Sequence, residues 1–401
     1  MGRTSIYLVI GFSAIMLFTG KNMSNVGVQA LDNSLSYYEN TQRYALAITA
    51  ANFACSQVWQ NPSWTTGYTN VNYNGGTFSA TVTDIGSGKK QITSTATYGG
   101  TSQTVTIVMK PSNFSKFAYY GGTSASAAAW ETGDTVGGPS HTQGKLKTFG
   151  SPVFLGKATS LSGITKSGSP ATPQFIGGFE SGVSITMPNN TSYTTIFNAA
   201  VSGGYDQVGG VLYLKFNADG TVSWKTSPSA SYTTQSLSSF APNGVIAIDK
   251  GTLYVEGTLD GRVTLASLRT SGSSGGTTII TNDLVMKDNP RTNTSSNDML
   301  GIVSYGDITI ADNSATTFNV QATLYSYTGG LQVQNGTSRP AGTLYVYGGM
   351  IVERLYATSN GAAGSARRGY NLSLRFDERF ANDSPDYFPA TGKYEILTWF
   401  E

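Results

Sequence analysis

The stretch IYLVIGFSAIMLF, residues 6–18, holds no charged side chain and no proline, and it follows a short segment whose one charge is Arg3. The run is about 13 residues, shorter than the roughly 20 that a stand-alone membrane span needs. A cleaved secretory signal would end in a small-x-small box, but Lys21 and Asn22 intrude before Ser24 and Gly27. The apolar pattern also continues past Lys21. Leu31, Leu35, Tyr38, Ala45, Ile48 and Phe53 recur at near-helical intervals, with Asp32, Glu39, Gln42 and Arg43 between them. This predicts one helix over residues 4–58, ended at the latest by Pro62 and about 80 Å long at 1.5 Å per residue. Its first half, through Ile6, Leu8, Val9, Ile10, Phe12, Ile15, Leu17 and Phe18, is expected to enter a membrane or the core of an assembly. Its second half is expected to pack on a folded domain through the later stripe. A cleaved signal followed by a separate helix is the alternative.

Working outward, the 401 residues allow two or three domains with cores of their own. Charged residues make up 12%, and 25 basic against 23 acidic side chains leave a net charge of +2. Nucleic acid is not an expected partner, because tight basic pairs occur only at Lys89-Lys90 and Arg367-Arg368 and make no stripe to neutralise phosphates. The 48 Gly and 23 Tyr suit strands joined by tight turns. The single cysteine, Cys55, excludes an internal disulfide and reads as a small buried hydrophobe.

After Pro62, alternating runs set Phe78, Ala80 and Val82 on one face, then Ile92, Ser94, Ala96 and Tyr98, then Val105, Ile107 and Met109. Gly86 to Lys90 and Gly99-Gly100 supply hairpin turns, so residues 59–112 read as an antiparallel meander with one apolar face. From Phe114 the runs shorten and glycine punctuates them. Leu212, Leu214 and Phe216 face Val222 and Trp224 across Asn217-Ala-Asp-Gly220, a hairpin inside an apparent inserted β unit at 179–242. Residues 226–239 read as a surface loop. Candidate strands then follow one another from Val245 to Val346, and two are near copies, Gly251-Thr-Leu-Tyr-Val-Glu-Gly257 and Gly342-Thr-Leu-Tyr-Val-Tyr-Gly348. Repeated short strands without a helical period predict a parallel β-helix across 113–178 and 243–368, with a β-sandwich as the alternative. The aromatic tail, 369–401, is expected to cap the open end of that solenoid. The fold class is thus mainly β with one long N-terminal α-helix on 1–58.

A helix apolar at its start, amphipathic afterwards and followed by a β meander resembles the first helix of type IV pilins and pseudopilins, and more narrowly the minor pilins with a pilus-assembly N-terminal domain. Two further strings resemble large pilin-like bacterial surface proteins: Gly138-Pro-Ser-His141-Thr-Gln-Gly144 with Gly150-Ser-Pro152-Val-Phe154, and Phe376-Asp-Glu-Arg379 with Pro385-Asp-Tyr-Phe-Pro389. The resemblance implies a subunit held in the inner membrane before assembly and displayed on the cell surface or in a pilus filament afterwards. It implies pilus-assembly machinery and other pilin subunits as partners, and an exposed β head suited to adhesion on surface polysaccharide. The chain departs from the prepilin pattern in one respect, since no Glu follows Gly2 or Gly11 through Gly20.

No phosphate loop, His-Glu-x-x-His or paired-cysteine site is present, so the expectation is a non-enzymatic protein without cofactor or metal. His141 is the one histidine and reads as a structural turn residue. A β-helix of another class, a secreted carbohydrate-active enzyme or lectin, would draw a carboxylate pair from Asp283, Asp298, Asp307, Asp312, Glu353, Asp377 and Glu378. A non-pilus envelope protein anchored by the same helix is a further reading.

Overall fold

The computed structural model describes residues 2–86, 88–125, 128–187, 191–293, 295–336, 338–360 and 368–400. Arg367 of the second basic pair and Glu401 of the aromatic tail lie outside them. The chain forms two compact units, Met1–Pro111 with Lys393–Glu401, and Ser112–Gly392.

In the first unit one helix, α1 (Arg3–Gln60), runs unbroken. It stops where Pro62 bars the preceding residue from helical geometry, and Asn61 is extended while its N–H still closes on Gln57 O. The meander holds β1 (Tyr68–Tyr73), β2 (Gly76–Asp84), β3 (Lys90–Tyr98) and β4 (Thr101–Asn113), each antiparallel to the next from β1 to β4. The sheet has five strands, because the last strand of the chain, Ala390–Phe400, lies beside β4. Its inner face buries Phe78, Ala80, Ile92, Ala96, Val105, Ile107 and Met109 against α1.

The face that α1 turns to the sheet is not the expected one. Leu46, Ala47, Ala50, Ala51, Ala54, Cys55 and Val58 are buried, whereas Leu31, Leu35, Tyr38 and Ala45 are exposed and Ile48 is half-buried. Phe53 is exposed but touches Tyr73 and Phe78 ring to ring, at 6.0 and 6.2 Å. Alanine at the contact lets the helix come close, and bonds between side chain and backbone cross between helix and sheet in both directions. Ser94 Oγ donates to Ala47 O at 2.8 Å, and Arg43 Nη1 donates to Tyr98 O at 3.1 Å. Large side chains on that face would hold the backbones apart, so size, and not apolarity alone, selects the stripe. Burial pushes the Cys55 thiol up to about 11, in keeping with a packed, unreactive cysteine.

The second unit is built from parallel ladders. One ladder stacks Tyr205–Val208, Val245–Asp249, Arg262–Leu268 and Met299–Ser304, then the latter halves of Thr317–Ser326 and Gly342–Val352. It continues through Tyr119–Gly121, Ser140–Thr142, Ala158–Ser160 and Phe179–Ser181. A second ladder carries Thr317–Ser326 and Gly342–Val352 on to Arg368–Phe376, Thr135–Gly137, Val153–Phe154 and Gln174–Phe175. A third joins Val211–Phe216, Thr252–Leu259, Thr277–Met286, Ile308–Ile310 and Leu331–Val333. Parallel pairing of each strand with its counterpart one coil on is the connectivity of a parallel β-helix, and it excludes a sandwich of hairpins. Inside, Leu253, Val255, Leu265, Ile280, Ile302, Leu324, Leu344 and Val346 stack as a continuous aliphatic core.

The chain enters this stack in the middle. Tyr119 pairs with Met350 on one side and with Ser140 on the other. From there the coils run to one end at Phe179–Ser181, and the chain restarts the opposite end at Tyr205–Val208. The connection holds a helix, α2 (Thr191–Gly203), which the sequence reading did not anticipate. Tyr193, Ile196, Ala199 and Ala200 of α2 cover Val245, Ala247, Ala266 and Leu268 on the outside of the first ladder. Strands of that ladder are therefore buried on both faces, which is why Val245-Ile-Ala-Ile248 is apolar without alternation.

Three expectations are corrected. The segment 179–242 is not an insertion, since Phe179–Ser181, Tyr205–Val208 and Val211–Phe216 are rungs of the ladders. The tail 369–401 is not a cap, because Arg368–Phe376 is a rung and Ala390–Phe400 belongs to the meander sheet. Residues 226–239 are not all loop, as Thr233–Ser236 pairs with Thr221–Lys225 and a helical turn follows at Leu237–Phe240. Covering of one end falls to that hairpin and turn, where Tyr205 stacks on Phe240 at 4.3 Å and Trp224 packs on both at 5.6 Å.

Candidate functional site

The residues predicted to enter a membrane or assembly all lie on the free half of α1. Ile6, Leu8, Val9, Ile10, Phe12, Ile15, Leu17 and Phe18 are between 58% and 75% exposed. The helix is long and apolar enough to cross a membrane, and none of its most apolar window is buried in the chain. No charge lies between Arg3 and Lys21. At 1.5 Å per residue that interval spans about 27 Å, close to the roughly 30 Å hydrocarbon thickness of a bilayer. Polar side chains in and beyond it fold back on the helix, as Thr19 Oγ1 donates to Ile15 O at 3.0 Å and Ser34 Oγ to Ala30 O at 2.8 Å. Such hydroxyls need no water, so they are tolerated in an apolar surrounding. Tyr7, Met16, Met23, Val26 and Val28 are equally exposed and extend the apolar surface.

The packing set divides. Phe53 and Ile48 join the edge of the sheet cluster, and Tyr38 meets Tyr98 edge to face at 6.3 Å. Leu31 and Leu35 touch nothing in the chain's core and prolong the exposed apolar face of the first half.

His141 is buried in the ladder with both ring nitrogens engaged, Nδ1 with Thr159 Oγ1 at 2.9 Å and Nε2 with Gln143 Oε1 at 3.0 Å. Because Gln143 Oε1 is an acceptor that also takes the Ile185 N–H at 2.8 Å, Nε2 carries the proton and Nδ1 accepts from Thr159. Burial holds the imidazole below its ordinary pKa, so it stays neutral. The acids are committed locally. Asp283 holds Asn319 N and Nδ2 at 2.8 and 3.0 Å, and Asp307 takes the Gly330 N–H at 3.0 Å. Asp298 takes the N–H groups of Gly261 and Asp288 at 2.7 and 2.9 Å. Asp312 is bonded by Asn335 Nδ2 at 3.0 Å, and buried Asp377 pairs with Arg379 at 2.6 Å. Each of these carboxylates closes a turn or bridges coils.

No family model matches the chain, and no curated protein matches it. Among solved structures it is similar to the competence-associated pilin ComZ from Thermus thermophilus, at 12% identity and a TM-score of 0.39, over 90% of this chain and 96% of that one.

Proposed function

We propose that the chain is a non-enzymatic, pilin-like structural subunit, inserted in a membrane through residues 6–18 and then displayed in a pilus or surface filament with its β-helical head outward. One observation supports this most directly: α1 is a single helix whose second half is buried on a sheet while its first half is apolar and wholly exposed. The eight large apolar side chains from Ile6 to Phe18, all exposed, form a continuous patch, unlike the isolated surface hydrophobes normal in soluble proteins, and mark a surface that water does not cover in use. A bilayer before assembly and neighbouring helices after it supply that cover. Interaction with assembly machinery, a minor-pilin position and adhesion follow as parts of the same reading.

The test is N-terminal sequencing of native protein from separated membrane, sheared-surface and medium fractions. A start at Met1, Gly2 or Arg3 in the membrane or surface fraction supports retention of the helix. A start beyond Gly20 in the medium would make residues 6–18 a signal and remove the anchor.

A further inference from the structure

We propose that a cleft on the side of the solenoid binds a neutral saccharide, with the Glu353 carboxylate accepting from sugar hydroxyls and the Tyr327 ring forming an apolar wall. The cleft measures about 570 Å³ and draws its walls from separate coils, through Tyr120, Gln143, Thr186, Tyr327, Glu353 and Arg354. That volume accommodates one or two sugar rings and leaves the rest of a chain in solvent.

The acceptor is built rather than incidental. Glu353 Oε1 takes the Thr123 hydroxyl at 2.8 Å and the Ser124 N–H at 3.0 Å, which fixes the plane of the carboxylate. Oε2 has no hydrogen-bond partner among the described residues. It lies against Gly122, where a Cβ would stand 1.8 Å from it, so glycine at that position leaves the oxygen its space. The other walls are held equally firmly. Gln143 spends its oxygen on His141 and Ile185 and its amide on Ser184 Oγ at 3.0 Å. Tyr120 donates to Ile185 O at 2.6 Å. Tyr327 is set edge to face by Tyr193 at 5.5 Å and by Tyr305 at 5.9 Å, and Thr328 Oγ1 donates to Tyr305 O at 2.8 Å. Little ordering remains to oppose binding.

The ligand class follows from what is left over. A pyranose offers an apolar C–H face and a rim of hydroxyls, which match an aromatic ring and an open charged acceptor respectively. Arg354 adds donors for ring or hydroxyl oxygens. One carboxylate and one guanidinium balance, so an anionic ligand meets Glu353 and a cationic one meets Arg354. Glycoside hydrolysis in its usual form needs two carboxylates; Glu353 is the one carboxylate among the described lining residues, so the cleft binds without cleaving.

Use of the cleft in adhesion rests on the displayed-subunit reading, but its chemistry does not. The full chain in a detergent without a sugar headgroup is therefore titrated with methyl glycosides of glucose, galactose, mannose and N-acetylglucosamine by saturation-transfer NMR and calorimetry. Binding of at least one glycoside is expected, weakened tenfold or more by Glu353→Gln and by Tyr327→Ala at unchanged circular dichroism. No binding by the wild-type chain, or equal binding by both variants, overturns the proposal. A chain that binds sugar yet fractionates as soluble sinks the anchor alone, and a membrane-bound chain blind to all four glycosides sinks the cleft alone.

Discussion

Replacing Ile10 by Asp places a charge near the middle of the proposed span. Ile10 is 61% exposed and its nearest charged neighbours along the helix are Arg3 and Lys21. At 1.5 Å per residue these are about 10 Å and about 17 Å away, so the new carboxylate has no cation to reach and no interface to snorkel to. The eight large apolar side chains from Ile6 to Phe18 contribute about −0.3 to −0.6 kcal/mol each on insertion, roughly −2.5 to −5 kcal/mol together. Asp contributes about +2.5 to +3.5 kcal/mol at a helix centre and also removes the isoleucine, a change of about 3 to 4 kcal/mol. That shift lowers partitioning by roughly two to three decades and brings net insertion near zero. The assay is the fraction of protein left in carbonate-washed membranes, with Ile10→Leu as control. Retention of Ile10→Asp at the control level refutes the anchoring role of this segment.

The remaining predictions concern the folded units. Because burial depresses the His141 pKa below 6.5, the folded state binds fewer protons than the unfolded one; stability is full above about pH 6.5 and falls as pH drops through that value toward the folded pKa. The melting temperature should decline from pH 7.5 to 5.5 and decline less in His141→Gln, and equal slopes would count against a buried neutral imidazole. Asp377→Ala strips the carboxylate from Arg379, whose Nη1 also donates to Ser296 O at 2.7 Å and Asp298 O at 2.8 Å. Denaturant titration should show a loss of about 3 to 5 kcal/mol, and a loss under about 1 kcal/mol would contradict the burial of that pair. Ala50→Leu should destabilise the helix–sheet packing by about 1 to 3 kcal/mol, whereas Leu35→Ala should stay within about 0.5 kcal/mol yet reduce pelleting of assembled material; the reverse order of stabilities would restore the large-residue stripe as the packing face. In pulsed hydrogen exchange during refolding, the amides of Met350 and Gly122, which bond Ala118 O and Val352 O across the joint between the two runs of coils, should gain protection after those of Leu265 and Ile302, and simultaneous protection would contradict late closure of that joint.

The sequence carried the α1 helix, the meander and the solenoid because each writes a local period. The near copies around Leu253 and Leu344 illustrate this: Leu253, Val255, Leu344 and Val346 all point into the core, so seven residues repeat because their rung environments do. What failed depended on partners distant in the chain. Leu31 and Leu35 read as packing residues because they continue an apolar helical period, while nothing in the local sequence marks Ala47 and Ala50, whose contact shows only in the Ser94 bond to the helix backbone. The aromatic tail resembled a cap, but nothing in Tyr394 or Trp399 announces a place beside β4. The cleft was no more legible. Glu353 was one candidate acid among seven, and Thr123, Gln143 and Tyr327 line the same cleft from other coils.

Entry of the chain at mid-stack has a physical price that local coils do not share. Most rungs pair with a neighbour about twenty to thirty residues on, so each closes a loop whose entropy opposes it by roughly 2.5 to 3 kcal/mol beyond a constant. Tyr119 pairing with Met350 closes a loop of about 230 residues, for which the same relation gives roughly 5 kcal/mol. The coils from Val245 to Val352 are thus able to nucleate and propagate among themselves, and so are those from Tyr119 to Ser181, while the joint between the two runs must wait for both. Once made, that joint is buried on both sides. Tyr120, Phe114, Tyr325 and Ile351 share one apolar cluster, and Phe114 N donates to Pro389 O at 3.1 Å. The segments that lead into and out of the head therefore meet at its middle, where the last contact to form also fastens them, and the two ends of the solenoid are left to residues from the interior of the sequence.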